Sequence, residues 1–399
     1  MKYDVIVIGG GASGLMAAGR AAERGRSVLV IERNRALGRK LLITGKGRCN
    51  VTNAADAQTI MQNTPRNARF LNSALRQLGS DDVMAFFESL GVPLIIERGG
   101  RVFPVSEKSS DIVDALVRYC KSGGVSFALN TRVTEISAGR VKSAGGDYRA
   151  DAIVIATGGK SYPATGSTGD GYRFAKAAGH TILPLKQSLV PLLSDDDFIP
   201  SLEGLSLKNV SAKLVSGGKT LHSGFGEMLF TAEGVSGPLV LSASAHMPEG
   251  AARLDLDLKP ALDRDALDRR LLRDLSENKN KDIANALHGL THARLLPALF
   301  EKSGLAPHIK ANSVTKAQRT ALIDAVKCFT INISGSGGFS DAVITRGGVC
   351  VSEINPKTME SKLVPGIYFT GEVLDVDAYT GGFNLQIAFS TGYAAGDGV

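Results

Sequence analysis

The chain of 399 residues carries 46 lysines and arginines against 39 acids, a formal net charge of +7, with 43% hydrophobic and 21% charged residues. That length allows two or three domains with cores of their own, and the balance is that of an ordinary globular protein rather than a disordered or fibrous one. No run approaches the ~20 apolar residues of a membrane span, and four scattered cysteines without a C-x-x-C offer neither a disulfide framework nor a zinc site.

Residues 3–8 are a short apolar run with the composition of a buried parallel strand. Gly9, Gly11 and Gly14 follow in the G-x-G-x-x-G pattern, residues 15–24 read as an alanine-rich helix stopped by Gly25, and a second strand over residues 27–31 leads to Glu32. Gly9 allows the tight turn, Gly11 lets the main chain approach a pyrophosphate, and Gly14 lets the helix pack on the strand. The helix N-terminus offers N–H groups and partial positive charge to phosphates. Glu32 stands about 20 residues past the glycines, where a carboxylate accepts hydrogen bonds from an adenosine ribose. Strand, glycines, helix and acid agree on dinucleotide binding.

Residues 33–53 hold three glycines and six basic residues (Arg33, Arg35, Arg39, Lys40, Lys46, Arg48). They make a poor helix or strand and a good anion-lined loop. Much of the positive excess therefore sits beside the expected phosphate site, and no aromatic-interleaved basic strip points to nucleic acid. Phe70, Leu71, Leu75, Leu78, Val83, Phe86, Phe87 and Leu90 have helical spacing, so residues 69–90 read as a helix ended by Gly91 and Pro93. Short strands flank Gly99-Gly100 as a hairpin, residues 111–119 are helical, and strands follow over 125–129 and 132–136. The strand over residues 151–155 enters a second glycine turn, Ala156-Thr157-Gly158-Gly159.

From about Ser188 the texture changes. Strand-like runs with frequent glycine turns fill residues 192–244, and a charged helical stretch fills residues 263–305. His288 and His292 are four apart with Gly289 between them and no facing carboxylate, so they read as structural and no metal is expected. The fold of the first part returns at residues 342–349. In the terminal stretch, residues 366–370 lead into Gly371, with Glu372 and Asp375 at the strand edge, and Gly381-Gly382 opens a helix. A helix N-terminus at the end of a parallel sheet suits a flavin, whose reduced ring carries negative charge.

Gly9 to Gly14 with Glu32-Arg33 resembles the FAD fingerprint of glutathione-reductase-type flavoproteins. The stretches 44–53, 156–171 and 366–396 resemble, more restrictively, a bacterial family of NAD(P)/FAD-dependent oxidoreductases of the BaiN and aminoacetone-oxidase type. The resemblance spans essentially the whole chain. It implies an α/β fold: a Rossmann-like FAD/NAD(P)-binding domain of glutathione-reductase type over residues 1–188 and 336–399. That domain would be split by a β-barrel-like substrate or cap insert over 189–258 and a helical subdomain over 259–335.

Carried onto matching positions, Gly9, Gly11, Ala12, Ser13 and Gly14 meet the pyrophosphate. Glu32 holds the ribose, and Arg33 and Lys40 lie near the adenosine. The Val133 main chain meets adenine. Ala156, Thr157 and Gly158 line the cofactor, with Gly371, Glu372 and Asp375 at the ribityl and phosphate region. Gly382, Phe383, Asn384 and Leu385 cradle the isoalloxazine. The chain departs from the family's pattern in carrying Ala232 where histidine is common, so no catalytic role is expected of the insert's Thr231-Ala232 pair.

The resemblance implies non-covalent FAD and hydride exchange between flavin N5 and a small organic substrate, in a pocket between the FAD domain and the insert. NAD(P)H-linked reduction of an activated C=C bond is the expected direction, and amine oxidation by O2 is second. A second dinucleotide fingerprint is absent, so NAD(P)H would visit transiently as co-substrate. Tyr162, Tyr379 and Lys46 are the candidate proton donors, each equally readable as a positioning residue. Cys49 reads as a packed thiol against the alternatives of a redox thiol or a flavin anchor. A cytoplasmic protein without membrane or nucleic-acid partner is expected. An RNA-acting flavoprotein and a non-catalytic flavin redox sensor are the readings from other classes.

Overall fold

The computed structural model describes residues 2–399. The chain divides into two compact units, one of residues 1–188 with 339–399 and the other of residues 189–338.

The first unit is built on a parallel sheet. β1 (Lys2–Ile8) is buried on both faces over its last four residues, as its unbroken Val-Ile-Val-Ile run requires. It pairs in parallel with β2 (Val28–Ile31) on one side, Val5 opposite Val28, and with the last strand before the second glycine turn on the other, Val5 opposite Ala152. Between β1 and β2 runs α1 (Ala12–Glu23). Beyond β2 come α2 (Arg39–Ile43), β3 (Thr52–Asn53), α3 (Ala57–Gln62), α4 (Asn72–Gln77), α5 (Ser80–Ser89), the hairpin β4 (Leu94–Glu97) and β5 (Arg101–Pro104), and α6 (Ser109–Ser122). β6 (Ser126–Ala128) returns beside β2, and β7 (Val133–Ser137), β8 (Arg140–Ser143) and β9 (Gly146–Ile155) form a meander. α7 (Asp170–Ala177) and β10 (Ile182–Ser188) complete the first segment.

The second segment supplies β11 (Ile344–Val349), antiparallel to β10, then β12 (Ile367–Phe369), which joins β9 in parallel, and α8 (Phe383–Gly398). The parallel strands thus run β6-β2-β1-β9-β12 across the sheet, the doubly-wound order that places ligands at strand C-terminal ends.

α1 is clamped by two helices through small residues. A Cβ on Gly19 would lie 2.2 Å from the Tyr119 ring of α6. Cβ atoms on Gly392 and Gly396 of α8 would lie 2.4 and 2.5 Å from the carbonyl oxygens of Ser13 and Ala17. No larger side chain could keep these helices so close.

Two expectations are corrected. The single helix over residues 69–90 is broken at Leu78, whose backbone is extended, giving α4 and α5. Leu78 cannot continue the helix because Gln386 Nε2 (3.0 Å) and Ser390 Oγ (2.7 Å) of α8 donate to its carbonyl. Gly79 N donates to Asp82 Oδ2 at 2.8 Å and starts α5 afresh. Residues 33–53 are not all loop, since Arg39–Ile43 form α2. Nor do the basic residues there simply line an anion site. Arg33 pairs with Asp170, Lys40 with Glu372, and Arg48 with Glu97 and Glu107.

The second unit is a seven-stranded sheet, antiparallel throughout, in the order 329–333, 252–257, 206–216, 219–231, 234–236, 192–193 and 335–336. The helices Arg264–Glu277, Leu296–Ser303 and Lys316–Lys327 share its core with Leu214, Phe230, Leu254 and Phe329. Pro238–Ser244, within the stretch read as strands, is a helix started by Pro238 behind Gly237. His288 and His292 are not on a common helix turn, and His292 Nδ1 accepts from Arg294 N. Among the described residues no group of three or more metal-ligating side chains gathers, and no helix is long and apolar enough to cross a membrane.

Candidate functional site

The three glycines behind β1 divide their tasks by what surrounds them. A Cβ on Gly9 would lie 2.5 Å from the Ala156 carbonyl oxygen, and one on Gly14 would lie 2.0 Å from that of Gly9, so both positions serve close packing of α1 on β1 and β9. Gly11 faces open space, with nothing within 4 Å of where its Cβ would stand. It is also the N-cap of α1, and no side chain caps that helix. Ala12 and Ser13 open the helix, and an N-terminus in that state can take an anion.

Glu32 is buried. Its Oε2 accepts from Gly10 N (2.8 Å), while Oε1 accepts from Asn34 N (2.8 Å) and Nδ2 (2.7 Å). Three donors on a carboxylate with about four acceptor positions leave one for a ribose hydroxyl, on Oε2. The chain leading to β7 is bonded to this corner, Thr131 N to Glu32 O and Asn130 N to Asn34 O, which brings Val133 close behind Glu32. Arg33 is held by Asp170, which also pairs with Arg132 at 3.2 Å.

The chain's distant segment closes on the same place. A Cβ on Gly371, at φ +76°, would lie 2.5 Å from Ser13 Oγ in the first turn of α1. Glu372 then enters a buried polar network. Its carboxylate pairs with Lys40 and accepts from Ser161 Oγ and, at 2.8 Å, from Thr345 N. Lys40 Nζ also donates to Ser161 Oγ at 2.6 Å. Gly159 has no side chain because a Cβ there would lie 2.6 Å from Glu372 Oε1. Lys40, expected near the adenosine, and Glu372, expected at the ribityl and phosphate region, are thus joined. Thr157 and Gly158 stand on the strand-end turn beside them, with Thr157 Oγ1 2.1 Å from where a Cβ on Gly171 would lie.

Gly381 and Gly382, at φ +125° and +99°, open α8, whose N-cap again carries no side-chain cap. A Cβ on Gly382 would lie 2.2 Å from the Thr52 carbonyl oxygen and 3.0 Å from Asn50 Oδ1. Asn53 Nδ2 fixes the turn by donating to Gly381 O (2.9 Å), and Asn384 braces it by accepting from Ala378 N (2.9 Å) and donating to Ala378 O (2.7 Å). Phe383 is buried, and Asn384 and Leu385 are half-buried. Asn50 Oδ1 is buried without a hydrogen-bond partner. An acceptor in that state, beside an uncapped helix N-terminus, fits a ring that presents an N–H between carbonyl oxygens, as a flavin does.

The loop before that turn carries one residue the sequence did not single out, Asp377, and it is gripped by another, Arg66. Asp377 is 1% exposed, and Arg66 Nη2 contacts both its carboxylate oxygens at 2.6 Å. Ser188 Oγ donates to it at 3.1 Å. Burial pushes the Asp377 carboxyl up, and Arg66 opposes it. Tyr379, half-buried, follows on the same loop, its phenol raised by burial and lowered by the neighbouring Arg66. Asp375 accepts from Asn67 at 2.9 Å. A buried aspartate two residues before Tyr379 was the one available signal, since Arg66 lies 311 positions away in the chain.

Of the other proton-donor candidates, Lys46 is exposed in a left-handed turn at φ +59°, and Tyr162 is half-buried at φ +49°. Cys49 is fully buried and its thiol is pushed up to about 12 by that burial, so it remains protonated and packed. A separate line of side chains has the order of a hydrolase triad: His180 Nε2 lies 2.8 Å from Ser361 Oγ, and Nδ1 lies 3.0 Å from Glu353 Oε2. Ser361 Oγ already accepts from Leu363 N and Val364 N. Its lone pairs are therefore occupied, and the line is a staple for the segment between β11 and β12 rather than a nucleophile.

Residues 3–398 match the HI0933-like protein Rossmann domain family. The chain is 33% identical to a 3-dehydro-bile acid delta(4,6)-reductase of Clostridium scindens over 98% of its own length and 97% of the relative's. It is 31% identical to the ribosomal RNA dihydrouridine synthase of Escherichia coli over 98% and 97% of the two chains, and 30% identical to that of Haemophilus influenzae over 98% and 96%.

Proposed function

The chain belongs to the HI0933-like Rossmann family, and from that premise we propose that it is an FAD-dependent oxidoreductase that reduces a C=C bond conjugated to a carbonyl group, with NAD(P)H as electron donor. The observation that carries the reading is a pair of uncapped helix N-termini on helices packed along one another, that of α1 with Gly371 set against Ser13 and that of α8 with an orphaned acceptor on Asn50. One helix suits a pyrophosphate and the other a ring that gains negative charge on reduction.

FAD, when bound, supplies the hydride chemistry. The chain's own groups do the rest. Gly11 to Gly14 hold the pyrophosphate, and Glu32 holds the ribose. Gly371, Glu372 and Asp375 border the middle of the cofactor, with Lys40 fixing Glu372. Gly382 to Leu385 and Asn50 orient the ring. Tyr379, on the loop that leads into the cradle, is the group placed to deliver a proton to the substrate. The buried, protonated Cys49 is not available as a covalent anchor, which supports non-covalent binding.

The relatives' names support the reaction class. A 3-dehydro acid reduced at positions 4 and 6, and a uridine converted to dihydrouridine, both gain hydrogen across a double bond conjugated to a carbonyl. The second name also favours an RNA substrate as an alternative, and the net charge of +7 is compatible with it.

The experiment is anaerobic. The purified protein should be yellow, release FAD on denaturation, and bleach with NADH or NADPH. Reoxidation is then followed with a 3-keto-4-ene steroid, with ribosomal RNA, and with O2 plus an amine product screen. Reoxidation by the steroid supports the small-molecule reading, and reoxidation by RNA alone moves the assignment to RNA. Flavin-free protein, or flavin reoxidised by O2 alone, ends the proposal.

A further inference from the structure

The positive excess is not spread over the chain. Residues 33–108 hold twelve lysines and arginines against six acids, which is +6 of the formal +7. The whole segment lies in the first unit, and it reaches the Gly381-Gly382 cradle along two routes.

One route is the β4–β5 hairpin. Glu97 opposes Arg101 across it, and Arg98, Gly99 and Gly100 make the turn. β5 pairs with β3, Asn53 opposite Arg101, and Ala54 N donates to Gly100 O at 2.7 Å. The Asn53 side chain joins the hairpin turn to the cradle, since its Nδ2 donates to Gly99 O (3.0 Å) as well as to Gly381 O (2.9 Å). A Cβ on Gly100, at φ +73°, would lie 2.5 Å from Asn53 Oδ1, so a larger residue would push the turn away. The other route is Gly45-Lys46-Gly47, three consecutive residues in the left-handed region. A Cβ on Gly45 would lie 3.0 Å from the main-chain nitrogen of Asn50, whose Oδ1 lies equally close to the Cβ position of Gly382. A left-handed lysine is uncommon, and such residues gather at functional sites.

Arg98 and Lys46 each adjoin a glycine in these contacts, yet the fold draws nothing from their side chains. Both are exposed, and among the described residues neither side chain has a hydrogen-bond or ion-pair partner. The acids nearby are occupied. Glu97 pairs with Arg48 and Arg101, Glu107 pairs with Arg48, and Asp56 accepts from Thr59 N at the start of α3. Arg48 is spent as well, with its guanidinium over the Phe103 ring at 4.2 Å from the centroid. Two free cations on long stems therefore stand at this corner, beside a helix N-terminus of the same sign.

We propose that Lys46 and Arg98 take an oxyanion of the substrate, a carboxylate or a phosphodiester carried apart from the double bond that is reduced. The inference deepens the reductase reading given above and rests on it. The pairing takes place in water and is the same in the ground state and the transition state, so it lowers KM and leaves kcat alone. It weakens as ionic strength rises. Lys46 and Arg98 are thus specificity residues that bind the substrate away from its reacting atoms.

The test uses the FAD-loaded protein, with the carboxylic acid of a 3-keto-4-ene steroid, its methyl ester and a ribosomal RNA fragment as probes. Binding is read without turnover, from the change in flavin absorbance for the steroids and by filter retention for the RNA. Wild-type protein should hold the acid at least about tenfold more tightly than the ester, and about 0.5 M KCl should remove the difference. K46Q or R98Q should raise the KM for the acid about threefold, and the double variant about tenfold, at an unchanged melting temperature. The effect should fall on KM rather than kcat, and on the acid rather than the ester. K176Q, which removes an exposed charge from α7 instead, should match wild type. Steroids that bind alike, together with salt-sensitive RNA binding that the double variant weakens about tenfold, would identify the oxyanion as a phosphodiester. The inference is overturned by a wild type that neither prefers the acid nor binds RNA, or by an FAD-replete double variant that keeps wild-type affinity for both. An equal effect of K176Q, or a rise confined to the KM for NADH or NADPH, overturns it too. Absence of FAD from the wild type would instead defeat the parent reading.

Discussion

Lys40 and Glu372, 332 residues apart, close an ion pair inside a network with Ser161 and Thr345. The pair ties α2 to the segment after β12, so the two segments of this unit are locked by charge as well as by helix packing. Their side chains are 24% and 11% exposed.

K40M should therefore destabilise the protein by about 2 kcal/mol, because a mostly buried carboxylate loses its charged donor. E372Q should cost a similar amount, and the double variant less than the sum. A double-mutant cycle in urea should return a coupling of about 1 kcal/mol or more. Strict additivity would mean the pair holds nothing.

Gly11 and Gly14 should separate binding from folding. Gly11 has an extended backbone and open space at its Cβ, so G11V should fold and melt within about 0.5 kcal/mol of wild type yet be colourless. G14V places a side chain 2.0 Å from Gly9 O and should cost at least about 1–3 kcal/mol by overpacking. Full FAD occupancy in G11V would displace the pyrophosphate from this loop.

Thiol chemistry should follow burial. Cys49 and Cys120 are buried, and both thiols are pushed up to about 12, chiefly by that burial. Cys328 is exposed and Cys350 partly so. At pH 8 an aromatic disulfide reagent should label Cys328 first, then Cys350, and reach the other two only on unfolding. Fast labelling of Cys49 in native protein would restore it as a redox candidate.

Glu353 gives a stability term with a defined pH window. Burial raises its pKa, but the bonds from Thr181 and His180 outweigh that and hold it below its ordinary 4.5. A depressed carboxylate contributes stability that is present above 4.5 and lost as pH falls through the lowered value. E353Q should cost about 1 kcal/mol at pH 7, and its gap to wild type should narrow as pH falls below 4.5. A gap that stays constant from pH 7 to 3 would remove the charge from the account.

What could be read from the sequence was local. The run from β1 through Gly14 to Glu32, and the Gly381-Gly382 helix start, declare themselves because strand composition, turn glycines and helix spacing lie within a few residues of one another. The break at Leu78 was hidden, since the side chains that cause it, on Gln386 and Ser390, come from the far end of the chain. The same distance hid Arg66 from Asp377. It also made the bases of residues 33–48 look like ligand contacts, when Lys40 and Arg48 are spent on acids supplied by later segments.

The glycines that let α8 nest against α1 have a consequence for biosynthesis. A nascent chain emerging from the ribosome can form β1, α1 and β2 early, but the ring cradle, Gly371 and the helix that clamps α1 all lie beyond residue 366. Nucleotide captured before then would be held at one end only. On the reading proposed above, FAD binding would be completed only once the segment beyond residue 366 has been made and α8 has docked on α1.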